Sequence, residues 1–268
     1  MNRLPTLLAP SAPFRQTATK KRRVQENPKL PIDFTHRLFF PTSFTPSYDY
    51  PLVVWLHSQR SSEYELQPVM QALSNQNYIG IAPRANIRTE SKRNLFSWGH
   101  SREDYAYAEE AVFECIFSAI ETLPIDSTRI FLAGFGAAGT LAQWIGLQYS
   151  ERLAGVVSMS GPVPTMNGSL SNWKLARSLP FLYISRRGSS LCNEANDREA
   201  IRLVYRSGLR YTFWHLQSHE DSGAEPDELS TEMLAAANRY MMGIVLGQPI
   251  SLTPEEKRDH LVGPFGLN

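Results

Sequence analysis

The sequence predicts a single α/β domain with a mostly parallel central sheet and helices on both of its faces. Short apolar runs alternate along the chain with segments whose apolar residues recur every three or four positions, and this alternation is typical of parallel sheets. The chain has 268 residues, of which 42% are hydrophobic, so it is long enough and apolar enough to form one large core.

The predicted strands are short runs rich in Val, Ile, Leu and aromatic residues. In chain order they lie at residues 36–41, 51–57, 78–84, 129–134, 154–160, 180–185 and 210–216. The run PLVVWLH at 51–57 is apolar throughout, as a strand buried on both faces should be. Pro83 stops the third strand, because proline cannot donate to a sheet ladder.

The predicted helices keep their apolar residues on one face. In chain order they lie at residues 63–76, 105–123, 137–150, 195–207 and 228–246. The helix at 105–123 shows this spacing most clearly, and Gly208 and Gly247 end the last two helices. The segment 86–104 is predicted to be a polar loop. Its residues Leu95, Phe96 and Trp98 either line a crevice or pack into the core.

The folded domain is predicted to span residues 30–247. It lies between a disordered, basic and proline-rich tail at 1–29 and a polar C-terminal tail at 248–268. The formal net charge of +1 favours neither nucleic acid nor an anionic membrane as a partner. No run reaches the ~18 apolar residues that a membrane span needs.

The two cysteines, Cys115 and Cys192, are too few and too far apart for a disulfide framework or a zinc site. We therefore expect reduced thiols, a cytoplasmic location, and no metal or other cofactor. The spacing Gly134-x-Gly136-x-x-Gly139 does spell a dinucleotide-binding motif. No acidic residue follows about 20 positions later, so nucleotide binding is not expected.

The stretch RIFLAGFGAAGT, residues 129–140, runs a strand through a glycine-rich turn into a helix of small residues. Serine hydrolases place their nucleophile on such a turn, in the pattern G-x-S-x-G. In this chain Gly136 stands where the serine should be. Its neighbours Phe135 and Ala137 carry no hydroxyl either, so a shift of one residue does not restore the nucleophile.

Four segments that follow predicted strands occur in a characteristic order: LVVWLHSQRSSE, the elbow stretch above, ISRRGSSLCN and HLQSHED. In this order they resemble the α/β-hydrolase fold, specifically its phospholipase/carboxylesterase (acyl-protein-thioesterase-like) group. The segments IETLPIDSTRIFLAGF and SMSGPVP match as well, with Ser158 and Ser160 as turn-forming hydroxyls. The resemblance covers residues 52–246 and implies a site beyond the carboxyl ends of the strands.

The resemblance also implies places for the other two members of a catalytic triad. His219, in QSHED, stands where the family histidine belongs. The family aspartate falls on Ser189, whose neutral hydroxyl cannot stabilise an imidazolium as a carboxylate does. Glu194 and Asp197 stay open as substitutes, which would have to reach back to this place.

The oxyanion loop of the family, His-Gly-Gly-x or His-Gly-x-Gly, becomes His57-Ser58-Gln59-Arg60. Glycine in this loop lets backbone N–H groups approach a substrate oxygen. We expect the N–H groups of Ser58 and Gln59 to remain donors from this loop. The N–H of Ala137, in the elbow, would be the second donor to the same oxygen.

Three arginines follow strands that end near this loop: Arg60, Arg186 and Arg187. Guanidinium groups bind carboxylates and phosphates through paired hydrogen bonds. The sequence therefore suggests an anion site at the mouth of the crevice. The alternative is that these arginines are solvated on the surface.

Changes at the nucleophile, the acid and the oxyanion loop together predict a non-catalytic member of the family. Loss of a triad serine costs about 10⁶-fold in turnover, so a glycine elbow should be nearly inert. We expect a monomer or homodimer that binds a small acyl- or anion-bearing ligand. Two alternatives stay open. One is an active carboxylic-ester hydrolase in which His219, beside Glu220 or Asp221, activates water; the other is a purely structural or oligomerisation module.

Overall fold

The computed structural model describes residues 34–90, 94–164, 173–186, 188–191, 194–216 and 227–248, with residues 90 and 194–197 described by their backbone alone. Nine strands lie within these ranges. They are β1 (His36–Phe39), β2 (Tyr50–Leu56), β3 (Ile79–Pro83), β4 (Ile87–Glu90), β5 (Leu95–Ser97), β6 (Ile125–Phe135), β7 (Gly155–Met159), β8 (Pro180–Arg186) and β9 (Arg210–Leu216).

Seven of these strands form one sheet in the order β1-β3-β2-β6-β7-β8-β9, and β4 and β5 form a separate hairpin. Strand β1 runs antiparallel to β3, and every other pairing in the large sheet is parallel. The parallel strands therefore all direct their carboxyl ends to one edge. This arrangement confirms the predicted fold class and sets the loops after β2, β6, β7, β8 and β9 beside one another.

The helices that the structure describes cover both faces of this sheet. They are α1 (Leu66–Leu73), α2 (Arg102–Thr122), α3 (Ala137–Gln148), α4 (Glu194–Ser207) and α5 (Thr231–Val245), with short 3₁₀ turns at Glu63–Glu65, Ser150–Arg152 and Leu175–Ser178. Residues of α2, α3 and α4 pack into the core on one face, and residues of α1 and α5 pack into the core on the other.

Local sequence explains why these elements form where they do. Every residue of β2 is buried, as expected for a strand between two layers of helices. Helix α2 begins at a capping box in which the Ser101 hydroxyl accepts from the Asp104 N–H and the Asp104 carboxylate accepts from the Ser101 N–H.

The segment 86–104 is not the simple polar loop that the sequence predicted. It contains the antiparallel hairpin of β4 and β5, in which Arg88 pairs with Phe96. The hairpin also forms a bridge between Ser61 and Phe96, so it is attached to the loop that follows β2. Its strands are only four and three residues long, and so short a run carries little alternation for a sequence pattern to reveal.

Candidate functional site

Gly136 joins β6 to α3 in the backbone conformation of a strained strand-to-helix turn. Its φ is 57° and its ψ is −129°, a region that side chains avoid and glycine adopts freely. Its N–H donates to the Met159 carbonyl at 2.8 Å, which ties the turn to the neighbouring strand. Among the described residues, a Cβ on Gly136 would meet only Leu191 Cδ1, at 3.9 Å, so the space for a side chain at the turn is open.

The turn is possible only because small residues surround it. A Cβ on Gly134 would lie 2.7 Å from the Ala138 backbone, and a Cβ on Gly161 would lie 2.5 Å from the Thr140 nitrogen. No real Cβ contact is that short, so the backbones of β6, α3 and the loop after β7 approach each other more closely than a side chain allows. These contacts support the elbow that the sequence predicted.

A buried polar network lies behind the turn and fixes the loop after β7. The Gln143 Nε2 group donates to Ser158 Oγ at 2.9 Å and to the Gly161 carbonyl at 2.8 Å, and Ser158 Oγ donates to the same carbonyl at 2.9 Å. Ser158 therefore has the turn-forming role that the sequence suggested. Ser160 is buried with a φ of 52°, and its hydroxyl finds no partner among the described residues.

His57 follows β2, is fully buried, and uses both of its ring nitrogens. The Ala85 N–H donates to Nε2 at 3.1 Å, so Nδ1 carries the proton and donates to the Ser58 carbonyl at 2.9 Å. Burial lowers the pKa of His57 and outweighs the opposing effect of that carbonyl. The ring is therefore a neutral structural group whose bonds shape the loop after it.

The Ser58 backbone does not fit the donor role that the sequence suggested. Its N–H donates to both oxygens of the Glu65 carboxylate at 3.1 Å, and its hydroxyl donates to Glu65 Oε1 at 2.9 Å. The Trp55 indole N–H donates to the same oxygen at 3.0 Å. The Glu65 carboxylate thus accepts the hydrogen bonds that the Ser58 groups would otherwise have to offer to a substrate oxygen. No sequence motif marks Glu65 for this role, although it lies seven residues after Ser58.

The hairpin holds the rest of this loop in place. The Trp98 indole N–H donates to the His57 carbonyl at 2.9 Å, and the Gln59 side-chain amide donates to the Trp98 carbonyl at 2.9 Å. The Arg60 N–H donates to Ser97 Oγ at 2.9 Å, and Arg60 has a φ of 57°. Trp98 is buried in the core. The structure therefore favours the core-packed alternative for this aromatic residue.

Two backbone donors remain near the turn. Within the described part of the chain, the N–H groups of Gln59 and Ala137 donate no hydrogen bond. Ala137 is the first residue of α3, where a helix leaves its N–H groups without intrahelical acceptors and carries a partial positive charge. Leu56 pairs with Gly134 across β2 and β6, so the two loops that carry these donors leave the sheet side by side.

Arg186 does not take the place that the predicted three-arginine anion site gave it. Arg186 is 3% exposed, and its Nη2 donates to Ser230 Oγ at 2.7 Å and to Glu232 Oε2 at 3.3 Å. Its neighbours Leu182 and Ile184 on β8 pack in the core that contains α5. Because side chains alternate between the two faces along a strand, Arg186 points toward α5, and its hydrogen bonds hold that helix against the sheet. Arg60 is exposed.

Ser189, at the predicted acid position, is buried and donates to a carboxylate from a distant part of the chain. Its Oγ donates to Asp227 Oδ1 at 2.7 Å across 38 positions of sequence. The Ser190 N–H donates to the same oxygen at 2.7 Å, and the Ser190 hydroxyl donates to the other oxygen. Sequence analysis missed Asp227 because no motif marks it.

A serine–histidine pair also lies at this edge of the sheet. Ser185 and His215 are register partners on β8 and β9, with 2.6 Å between Ser185 Oγ and His215 Nδ1. Ser185 is 2% exposed, so a substrate carbonyl has no approach to its hydroxyl. We therefore interpret the pair as a cross-strand hydrogen bond.

Arg187, His219, Glu220 and Asp221 lie outside the described residues, as does Cys192. Helix α4 begins at Glu194, but the side chains of Glu194 and Asp197 are likewise outside them. Cys115 is buried, and burial raises the pKa of its thiol to about 12, so this cysteine is not a reactive one.

In the parts of the chain that the structure describes, no three or more His, Cys, Asp or Glu side chains cluster in a way that would hold a metal ion. No helix in those same parts is long and apolar enough to cross a membrane.

Comparison with known proteins supports the architecture. No protein-family model matches the chain. Solved structures that are similar include a carboxylesterase of Bacillus cereus, with 15% sequence identity and a TM-score of 0.60 over 80% of this chain and 96% of that one. A phospholipase/carboxylesterase of Dyadobacter fermentans has 14% identity and a TM-score of 0.58 over 78% of this chain and 96% of that one.

A thermostable esterase shares 19% identity with a TM-score of 0.56, over 83% of this chain. The chain spans 61% of the length of that esterase. At these identities the comparisons establish the architecture, and they agree with the mostly parallel sheet described above. The chain therefore has the α/β-hydrolase fold.

Proposed function

We propose that this chain is a non-catalytic protein with the α/β-hydrolase fold that binds a small acyl- or anion-bearing ligand over Gly136. The observation that carries the proposal is the turn itself. Gly136 keeps the backbone of a nucleophile elbow at a φ of 57° and a ψ of −129°, but it offers no atom that can attack. Within the described part of the chain, the space for a side chain at Gly136 is open, and the N–H groups of Gln59 and Ala137 donate no hydrogen bond.

The chemistry of the donors indicates what the ligand is. Two N–H groups, one at the start of a twelve-residue helix, favour an oxygen that carries negative charge. Leu191 offers an apolar contact beside them. A short carboxylate with an alkyl chain matches both features, because its oxygens suit the N–H groups and its chain suits the leucine. Without a nucleophile, such a ligand would be held and not turned over.

The first experiment is a titration of the ¹⁵N-labelled protein with butyrate, followed by backbone amide chemical shifts. We expect saturable shifts at Gln59 and Ala137. The Thr128 N–H, which donates to Asp126 at 2.9 Å near the start of β6, serves as an internal control and should not move. Unchanged shifts at Gln59 and Ala137 with butyrate and with inorganic phosphate would contradict the proposal.

A variant tests the donor directly. Ala137→Pro removes one N–H at the first helical position, where proline is tolerated because that N–H has no intrahelical acceptor. We expect far-ultraviolet circular dichroism like that of the wild type and butyrate affinity reduced by about tenfold, which corresponds to one hydrogen bond to a charged group. Unchanged affinity in the folded variant would exclude the Ala137 N–H as a donor.

Hydrolysis of p-nitrophenyl acetate separates the proposal from the active-enzyme alternative. We expect the wild-type protein to hydrolyse this ester no faster than buffer alone does. Turnover by the wild type that His219→Ala abolishes would instead support a hydrolase with a non-standard mechanism around that histidine. Ser185→Ala is the companion variant, because loss of turnover there would identify the Ser185–His215 pair as the reacting group.

A further inference from the structure

The carboxyl end of α4 carries a cluster of positive charge. The Arg177 side chain donates to the Ser207 carbonyl at 2.9 Å, and the Arg210 side chain donates to the Ser178 carbonyl at 3.3 Å. These bonds hold the 3₁₀ turn at Leu175–Ser178 against the end of the helix, but both acceptors are neutral, so the bonds compensate neither guanidinium charge. We call the four exposed cations of this surface the basic patch: Lys174, Arg177, Arg206 and Arg210.

Two large apolar side chains lie within the basic patch. Leu175 is 72% exposed and Tyr205 is 75% exposed, the highest values among the large apolar side chains that the structure describes. Leu175 lies two residues before Arg177, and Tyr205 directly precedes Arg206. Exposed apolar groups with a rim of charge are typical of a surface that binds another protein.

Helix α2 carries the opposite charge on its exposed face. Four exposed glutamates recur along it at intervals of seven and four residues, which puts them on one side of the helix, and we call them the acidic row: Glu103, Glu110, Glu114 and Glu121. No described lysine or arginine pairs with any of the four. Arg152, whose guanidinium lies over the rings of Phe113 and Phe117 on the same helix, pairs with Glu151 at 3.9 Å instead.

The acidic row and the basic patch flank one face of the sheet. Helix α2 packs over β2, β3 and β6, α3 packs over β6 and β7, and α4 packs into the same core and leads into β9, the last strand in the sheet order. The outward residues of α3 between them, Thr140 and Trp144, are half-buried. Because α2 and α4 both end where a parallel strand begins, Glu121 and Arg206 lie toward the same edge of the sheet.

We propose that this face binds the same face of a second copy of the chain, with the acidic row of each copy against the basic patch of the other. A two-fold axis that lies in the interface and runs along the strands exchanges the two flanks, so both contacts form together. The same axis keeps the amino edges of the two sheets side by side, which directs Glu121 of one copy toward Arg206 of the other.

The face is large enough for such a contact. Helix α2 has 21 residues and is therefore about 31 Å long, and three helices packed side by side span about 25 Å. The product is close to the roughly 800 Å² per partner that a specific interface buries.

A second copy fits this face better than an anionic membrane or a nucleic acid does. Either of those would attract the basic patch but would repel the acidic row on the same face. The chain as a whole has a formal net charge of only +1, so two copies do not repel each other at long range, and each copy supplies both charges that the other needs.

Sedimentation velocity of the full-length protein tests the proposal. We expect wild-type dimers that dissociate more readily in about 0.5 M NaCl than in about 0.05 M NaCl, because salt screens charges at a surface. In the acid-reversed protein, Glu114→Lys and Glu121→Lys make both flanks positive. In the base-reversed protein, Lys174→Glu and Arg206→Glu make both flanks negative. All four side chains are exposed, so we expect both proteins to fold.

Each reversed protein alone should dimerise at least about 100-fold more weakly than wild type, since like charges then face each other. An equimolar mixture of the two should form a heterodimer about as readily as wild type forms its dimer. In that mixture both positive flanks of one chain meet both negative flanks of the other. Restored association on mixing is a result that a loss of folding in either variant could not produce.

The matched control raises the net charge as much as the acid-reversed protein does, but on the opposite side of the sheet. It combines Gln71→Lys, Ala72→Lys and Glu228→Lys, at exposed positions on α1 and just before α5. We expect this protein to dimerise like wild type. Tyr205→Ser changes no charge and should weaken the dimer at both salt concentrations, because it removes an apolar contact.

Three outcomes would overturn the proposal: wild-type protein that is monomeric at low salt, reversed proteins that dimerise as wild type does, or a mixture that does not associate. Wild type that stays monomeric but cosediments with phosphatidylserine vesicles, and loses that binding only in the base-reversed protein, would assign the basic patch to a lipid surface instead. Both flanks approach the amino edge of the sheet, away from Gly136, so butyrate binding should be the same in every variant. Failure of the interface and failure of the proposed ligand site are therefore separable results.

Discussion

At the scale of single residues, the backbone of Gly136 makes the Gly136→Ser change costly to the stability of the folded protein. Any side chain at this conformation is strained, and the expected loss is about 1–3 kcal/mol in the free energy of unfolding. No steric clash adds to it, since among the described residues only Leu191 comes within 4 Å of the new Cβ. Urea denaturation measures the loss, and Gly136→Ala should show the same loss, because the strain comes from the Cβ and not from the hydroxyl. A stability equal to or above that of wild type would contradict an elbow here.

The conformation of Gly136 was predictable from the sequence because a glycine between a strand and a helix of small residues is typical of a tight turn. Its φ of 57° and its open surroundings agree with that prediction. Asp227 and Glu65 were not predictable, because each acts on loop residues far from it or unmarked by any motif. Hydrogen bonds between distant segments depend on tertiary packing, which neither periodicity nor spacing encodes.

At the scale of elements, the long strands and helices were predictable, whereas the short strands that pair with a loop were not. The strand at 210–216 was predicted with the bounds that the structure gives it, and helix α2 was predicted to begin at residue 105 instead of 102. The hairpin of β4 and β5 was missed because its strands are short and its partner is the loop after β2. Strand β6 begins at Ile125, four residues before its predicted start. The prediction missed these residues because three of the four are polar and none of them is buried.

The junction of β6, α3 and the loop after β7 gives a prediction at this scale. Gly161→Ala would push its Cβ into the Gly136 carbonyl oxygen and to 2.5 Å from the Thr140 nitrogen, and both are backbone atoms that cannot rotate away. We expect a loss of at least about 1–3 kcal/mol, the usual range for overpacking, with a lower melting temperature.

Gly247→Ala, at the end of α5, is the control for Gly161→Ala. Unlike Gly161, Gly247 has a positive φ, of 61°, but no atom of the described residues lies within 4 Å of a Cβ there, so its loss reflects backbone conformation without a clash. If the Gly161 variant were no less stable than the Gly247 variant, the close approach of these three elements would be wrong.

At the scale of the whole molecule, the order of strands and the two cores decide where chemistry can occur. Successive residues along β8 pack into opposite cores. Arg186 lies on the same face as α5, so it bonds to that helix and does not join Arg60. The sequence could place both arginines after strands, but it could not tell which face each one takes at the end of its strand. The same parallel sheet brings the loops after β2, β6 and β8 together, as the alternation of elements predicted.

Burial of His57, which directly follows β2, makes the stability of the folded protein depend on pH. Unfolded His57 binds a proton near pH 6.5, whereas burial lowers its pKa in the folded protein. Between those two values the unfolded state holds more protons, so stability rises with pH. The contribution of His57 is therefore complete above about pH 6.5 and is lost as the pH falls through the folded pKa, with a slope of at most about 1.4 kcal/mol per pH unit.

Urea denaturation at a series of pH values from 4 to 8 measures this slope. His57→Asn should flatten it below pH 6.5, because asparagine has no proton to gain, and it should also lower stability at pH 8 through the loss of the bond from the Ala85 N–H to Nε2. His36→Asn, at an exposed position on β1, is the matched control and should leave the wild-type slope in place. A His57→Asn protein whose stability falls with pH as steeply as that of wild type would show that other groups, and not this buried ring, set the acid sensitivity of the fold.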